Sequence, residues 1–460
     1  MNCIKRGKSG HDNMNSSTDK LSLLGGLIEK TLKAGADSCD ALFVEGVSMS
    51  HARRLGKPEH IRRSEGADLG LRVLVGKRQA MVSSSDASPE ALNELVERAI
   101  AMARAVPEDP HCGLAEPEQL ATEFPDLDMC DADELSTEDL LEMAARAEDA
   151  ARAVPGVTNS EGAEAECSRS SIFIVAGNGF AGTYAGTRHS LSVSVLAGEG
   201  TGMERDYDFT GAVHIEDLKS PEDIGRSAGE KAVKRLNPRK VKTGHYPVIY
   251  DPRVSGSILS HLSSAVNGVA VARGSSFLKN RLGERIFPEN ITIIDDPHRR
   301  RGLRSRPFDG ECVAGGRRNI VENGVLVSWI LDLHSARKLG MTTTGNASRG
   351  TSSPPSPAAT NLYLEPGAVC PKDLMADIKS GFYVTELIGF GINQVTGDYS
   401  RGAGGFWIEN GELTFPVSEV TVAGNLNHMF ANITAADDLE FRYGVDAPTL
   451  RIDGLMTAGA

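Results

Sequence analysis

The chain has 460 residues, beyond the size at which a single core keeps growing, so two or three domains and a large buried core are expected. An apolar share of 40%, with 49 glycines and 5% aromatic residues, is globular in character and suggests many strands and tight turns. A formal charge of −13 disfavours general polyanion binding, so DNA is not the default partner, and no run of eighteen apolar residues exists to cross a membrane as a helix.

Residues 1–18 are basic and polar with no apolar core after them, so they read as a disordered tail, not a secretory signal. Leu21, Leu24, Leu27, Ile28 and Leu32 then recur at helical spacing up to the Gly35-Ala36-Asp37 turn. Extended segments follow at Ala41–Val47, His60–Ser64, Leu69–Val75 and Ala80–Ser84. Ser88-Pro89-Glu90 opens a second helix, with Ser88 capping, Pro89 where no N–H is needed and an acid facing the positive dipole end. Its apolar stripe is Leu92, Leu95, Val96, Ala99, Ile100 and Ala103. Val106–Glu134 is a long, acidic, Pro-containing loop that reads as a separator of two subdomains.

Thr137–Ala153 is helical again, and strands are expected around Ala163–Cys167, Ser171–Ala176, Ala181–Tyr184, Arg188–Leu196 and Arg205–Val213. A second Ser-Pro-Glu start at Ser220–Glu222 leads a helix to Leu236. The order helix, strands, capped helix thus occurs twice. Internal duplication is one reading; a common helix-start signal is the other. Beyond Lys240–His245 the chain becomes rich in glycine, with a helix at Pro371–Lys379 and strands at Tyr383–Leu387, Phe406–Ile408, Leu413–Pro416 and Val417–Val422. Glu409-Asn410-Gly411-Glu412 is a hairpin signal, and Thr351–Pro357 reads as an extended, exposed Pro/Ser loop. The fold class expected is α+β: an N-terminal α/β region of mixed or antiparallel sheet with capped helices, then a C-terminal, predominantly antiparallel β domain. The divisions fall at 1–18, 19–110, 111–240 and 241–460.

Several motifs that carry chemistry elsewhere fail on context. Gly177-Asn178-Gly179-Phe180-Ala181-Gly182 has dinucleotide-loop spacing, but Thr183–Leu196 alternates like a strand where a phosphate-binding helix should begin, so Asn178-Gly179 reads as a hairpin turn. No G-x-S-x-G is present, and Ser276-x-x-Lys279 and Lys242-Thr243-Gly244 stand in the reverse of the penicillin-binding order. Seven dispersed cysteines, no two closer than eighteen positions, supply neither a C-x-x-C motif nor a local thiolate zinc site and suit a reducing cytoplasm. The closest two histidines, His51 and His60, are nine positions apart, so no helix carries a zinc pair; a metal site assembled from distant residues stays open. Arg299-Arg300-Arg301 with Arg304 and Arg306 is the densest basic run, read as a solvated, ion-paired loop with binding of an acidic partner or a phosphate backbone as the alternative.

Pro247–Ile286 is laid out as a strand, a helix and a turn where a hydrolase would place its machinery. Asp251 is a natural N-cap before Pro252, and Ile258, Leu259, Leu262, Ala265, Val266 and Val269 form one apolar face. The other face offers Ser257, Ser260, His261, Ser263, Ser264 and Asn267, with one metal ligand and no carboxylate.

LGLRVLVGKRQAMVSSSD at Leu69–Asp86, GSSFLKNRLGERI, DLHSARKLGMTTTGNASRG at Asp332–Gly350 and the long segment beginning GFYVTELIGFGINQVTGDYS resemble the PmbA/TldE branch of the TldD/PmbA family, once named modulators of DNA gyrase. The likeness covers about residues 20–460. It implies two kinds of subunit: a TldD-type with an H-E-x-x-x-H zinc helix that hydrolyses peptides, and a PmbA/TldE-type that lacks it and pairs with the first in an intertwined dimer. Anchored on Arg281–Glu284, the zinc helix falls opposite Leu259–Ser264, with Leu259 and Ser264 at the histidine positions and Ser260 at the glutamate. Starting from His261 instead puts Leu262 at the glutamate and Val266 at the second histidine.

The resemblance therefore implies no catalytic residue, no metal ligand and no cofactor, with Leu259, Ser260 and Ser264 as a degenerate zinc-helix set. It further implies a cytoplasmic subunit that pairs with a TldD-like zinc protease or with itself and acts on small, unfolded or modified peptides. A regulator of gyrase or of a toxin–antitoxin pair that works by binding alone is the alternative.

Overall fold

The structure, a computed structural model, describes residues 10–459. The expected tail lies outside the described residues over positions 1–9; from Gly10 the chain is already helical, as part of α1 (Gly10–Lys33). Strands β1 (Ser38–Arg54), β2 (Lys57–Val75) and β3 (Arg78–Ser84) form an antiparallel meander, followed by α2 (Pro89–Ala105). Then α3 (Thr137–Arg152), β4 (Val157–Ala176), β5 (Ala181–Ala197), β6 (Glu204–Ala212) and α4 (Pro221–Lys234) repeat that order. Both Ser-Pro-Glu starts behave as helix caps: the Ser88 hydroxyl accepts from Ala91 N, and the Ser220 hydroxyl from Asp223 N.

The two units are not separate domains with separate sheets. β1 pairs antiparallel with β4 from Asp40–Ala176 to Arg53–Ala163, which joins them into one six-stranded sheet of order β3-β2-β1-β4-β5-β6. The first strands of the units thus meet at the centre and the third strands lie at the edges, an arrangement that favours duplication over a merely recurrent helix start. Several expected short strands are also parts of longer ones. Ala163–Cys167 and Ser171–Ala176 both lie in β4, because a strand flanked on both sides keeps pairing through polar stretches that break its apolar alternation. The Gly177–Phe180 turn joins β4 to β5, with Ala176 N donating to Phe180 O at 2.9 Å and Gly179 at φ +94°.

One face of this sheet is covered by helices. Leu24, Leu27 and Ile28 of α1 and Leu95, Val96 and Ala99 of α2 pack with Ala41, Phe43, Leu71 and Val73, while α3 and α4 cover Leu191, Val193 and Val195. The opposite face, which presents Leu42, Ile174 and Ala176, meets Ala121 of the 106–136 segment and Phe308 and Cys312 of the C-terminal half. That long segment therefore lies between the halves, with Ala121 N bonded to Cys312 O at 2.9 Å.

In the C-terminal half, β7 (Gly244–Tyr250) lies between strands Ser380–Ile388 and Leu450–Ala458. Strands Asp398–Glu409 and Glu412–Asn425 continue the sheet, and pairing of Thr421 with Ala458 closes it into a barrel. All of its pairs are antiparallel except β7 with Ser380–Ile388. The Asn410-Gly411 turn has positive φ at both residues, +51° and +82°, as the hairpin signal requires. A five-stranded sheet built around Ile293–Asp296 packs beside the barrel. The helix expected at Pro371–Lys379 stops at Met375, since Ser380 already begins a strand. Among the described residues no helix is long and apolar enough to cross a membrane.

Candidate functional site

The strand and helix expected at Pro247–Gly268 are β7 and α5 (Pro252–Ala265). Asp251 caps α5 by accepting from Arg253 N at 2.9 Å, and its other oxygen accepts from the Tyr383 hydroxyl at 2.9 Å. Ser255 donates to Ala447 O at 2.9 Å, and a Cβ on Gly256 would stand 2.6 Å from Val445 O, so the first turns are pressed against the neighbouring chain. Ile258, Leu259, Leu262, Ala265 and Val266 are wholly buried and join the core with Val248, Tyr250, Phe382 and Val384.

The serine hydroxyls of the polar face bond carbonyls of their own helix. Ser257 donates to Val254 O at 2.6 Å, Ser260 to Gly256 O at 3.1 Å and Ser264 to Ser260 O at 3.0 Å, each within one turn. His261 rests against Tyr399, ring centroids 5.9 Å apart, and its buried Nε2 has no hydrogen-bond partner among the described residues. Burial, with Arg401 adding repulsion, pushes this imidazole down to about 4. It is therefore neutral at neutral pH.

Zinc needs three or four N, S or O ligands converging at about 2 Å. Here Leu259 has no donor atom and faces the core, Ser260 and Ser264 bond their own helix, and the register starting from His261 substitutes Leu262 and Val266, both wholly buried. Among the described residues no group of three His, Cys, Asp or Glu side chains is placed to hold a metal ion. The residues of α5 do not fit zinc in either register.

The structure also assembles groups that the sequence left apart. Asp40 of β1 accepts from Arg72 Nε at 2.8 Å across the β1–β2 pair and from Arg349 of the C-terminal half at 2.5 Å. Arg72 reaches on to Glu311 at 3.4 Å. All four side chains are almost wholly buried, so one ion cluster ties the sheet to the C-terminal half. Burial raises the Asp40 carboxyl, but Arg349 and Arg72 outweigh it and hold it below its ordinary range. Glu311 goes the other way: burial lifts it to about 7, Arg72 opposing and buried Asp309 adding to the rise.

Next to this cluster, a cavity of about 330 Å³ opens between the halves. Its walls include Asp109 and His111 from the long segment, Val269, Ala272 and Arg273 beyond α5, and His334 and Lys338 on the helix Leu333–Leu339. His334 Nε2 lies 2.8 Å from Asp109, and Arg337 pins the segment by donating to the carbonyls of His111 and Leu114 at 3.3 and 2.6 Å.

Two arginines of the basic run are ion-paired. Arg301 contacts Asp128, Glu216 and Asp217, Arg300 contacts Asp128, and Arg299 stacks on Phe441 with its guanidinium 3.3 Å from the ring centre. Glycines in Gly389–Gly405 serve close approach inside the protein: a Cβ on Gly391 would stand 1.7 Å from Ser400 O, and one on Gly405 1.9 Å from Tyr383 O.

Family models for the first, central and C-terminal domains of PmbA/TldA metallopeptidases match residues 39–103, 130–236 and 243–459. Metalloprotease PmbA of Escherichia coli O157:H7 is 37% identical over 426 residues, spanning 92% of this chain and 93% of its own. The PmbA homolog of Haemophilus influenzae is 36% identical over 436 residues, 94% of each chain. A proposed modulator of DNA gyrase from Bacteroides thetaiotaomicron has a solved structure similar at TM-score 0.87 and 30% identity, covering 95% of this chain and 98% of that one. TldE from Thermococcus kodakarensis shares the fold at TM-score 0.86 and 21% identity, covering 95% and 100%.

Proposed function

The chain belongs to the PmbA/TldD metallopeptidase family, and we propose that it is the metal-free, catalytically silent subunit of a cytoplasmic TldD/TldE-type zinc protease. Its role is to complete and shape the chamber in which a partner carrying H-E-x-x-x-H cleaves small, unfolded or modified peptides. The observation that carries this reading is α5 itself, the helix that the resemblance sets opposite the zinc helix: Leu259 lies in the core and the Ser260 and Ser264 hydroxyls are bonded to the helix backbone. An exposed apolar loop supports an incomplete, pairing subunit. Ile388, Phe390 and Val395 are 61%, 98% and 60% exposed, beside Arg401, which stands over the Phe390 ring. Surface of this kind is usually covered by a partner. Copurification from the native cell tests the reading: a zinc-loaded H-E-x-x-x-H chain should come with this one, and only the pair should cleave unfolded peptides.

A second reading, binding to gyrase or a toxin–antitoxin pair without proteolysis, takes its support from the gyrase-modulator description of the Bacteroides relative. Contact with DNA itself is disfavoured, because the net charge is −13 and Arg300 and Arg301 are held by acids. Gyrase binding that persists with the protease partner absent would favour this second reading.

A further inference from the structure

We propose that the cavity between the two halves binds a small organic anion, one carboxylate or phosphate group on a body of amino-acid to dipeptide size. At about 330 Å³ it falls at the small end of ligand sites and suits a ligand of that size. The proposal concerns a site separate from the polar face of α5 and does not depend on a protease partner.

The acids facing the cavity are already satisfied. Asp109 is bonded by His334 Nε2 at 2.8 Å and by His111 N at 3.0 Å, and Asp332 accepts from Ser335 N at 2.8 Å. Glu311 accepts from Leu333 N at 2.8 Å and faces Arg72 with its other oxygen. The cations are not all matched. Arg273, just after the short helix Gly268–Ala272, and Lys338 both line the cavity, and neither side chain has a hydrogen bond or ion pair with any described residue.

The side-chain donors left without partners are therefore both cationic, a guanidinium able to grip an oxyanion bidentately and an ammonium lining the same cavity. Val269, Ala272, Pro354 and Pro355 supply an apolar wall for the ligand's body. The walls are held in place: Arg337 fixes the His111–Leu114 turn, where Gly113 at φ +153° leaves room for the guanidinium. An anion that binds this cavity only in the folded chain would raise the unfolding temperature.

The test uses the intact chain at low salt, with calorimetry and thermal unfolding, and the probes inorganic phosphate, alanyl-alanine and alanyl-alanine amide. The proposal expects saturable binding of phosphate or of the free dipeptide, weakened by added salt and accompanied by a higher unfolding midpoint, with no binding of the amide. Phosphate alone would identify a phosphate headgroup; the dipeptide, a carboxylate. Arg273→Ala/Lys338→Ala, at exposed positions, should weaken binding at least about tenfold, as two charge-assisted contacts are lost. Ala272→Phe, which fills the apolar side and leaves the charges, should weaken it as well. Absence of saturable binding by both anions, equal binding of the amide, or unchanged affinity in the charge variant would overturn the proposal.

Discussion

Ser264 donates its hydroxyl to the carbonyl of Ser260, 3.0 Å away and one turn back on α5, while Leu259 on the same helix is wholly buried. The two positions therefore differ sharply in what they contribute. Leu259→Ala should cost roughly 2–5 kcal/mol, the range for emptying a packed core site. Ser264→Ala should change stability by less than about 0.5 kcal/mol, since the hydroxyl faces outward and its bond does not extend the helix ladder. Urea unfolding of both variants checks this, and equal costs would show that the helix face is misassigned.

His261 should titrate near 4, well below an ordinary histidine. Its folded-state pKa is depressed, so the stability it contributes is present above the unfolded value of about 6.5 and is lost as pH falls towards 4. NMR titration of the ring should show the low midpoint. Replacing it by phenylalanine should remove that part of the acid destabilisation.

Asp40 is the shared anion of two buried guanidiniums, so Asp40→Asn should cost about 3–5 kcal/mol at neutral pH by leaving Arg72 and Arg349 undercompensated. Because its carboxyl is held low in the folded state, the contribution is present above the unfolded pKa of about 3.9 and fades as pH falls through the folded value. Denaturant unfolding of the variant at pH 7 measures the cost directly.

Glu311 predicts a slope of opposite sign. Its folded pKa, about 7, lies above the unfolded value of about 4.3, so the unfolded chain loses this proton first and stability should fall as pH rises between those values. Glu311→Gln should flatten the fall without abolishing it, because buried Asp309 is raised in the same direction. Urea midpoints from pH 4.5 to 7.5 would show it.

What could be read from sequence was local. The caps at Ser88, Ser220 and Asp251, the Asn410-Gly411 hairpin and the apolar face of α5 all follow from neighbours within a few positions, and the structure has each of them. The helix Leu333–Leu339 was equally accessible, with Asp332 as cap and Gly340 at φ +67° as its end, but seven residues give too little periodicity to stand out.

The ion cluster joins Asp40 to Arg349 across 309 positions, and Asp109 meets His334 across 225. No pattern fixes such pairings. The available hint was a charge inside an apolar alternation: Asp40 between Cys39 and Ala41, and Arg72 between Leu71 and Val73. Each stands on the sheet face turned towards the C-terminal half, where a lone charge would be costly without a partner.

The most direct test of the silent-subunit account is zinc analysis of the purified chain together with a peptide-cleavage assay, alone and after mixing with its copurifying H-E-x-x-x-H partner. The account predicts far less than one zinc per chain, no cleavage by the chain alone and cleavage by the pair. One zinc per chain with peptide cleavage in the partner's absence would contradict it.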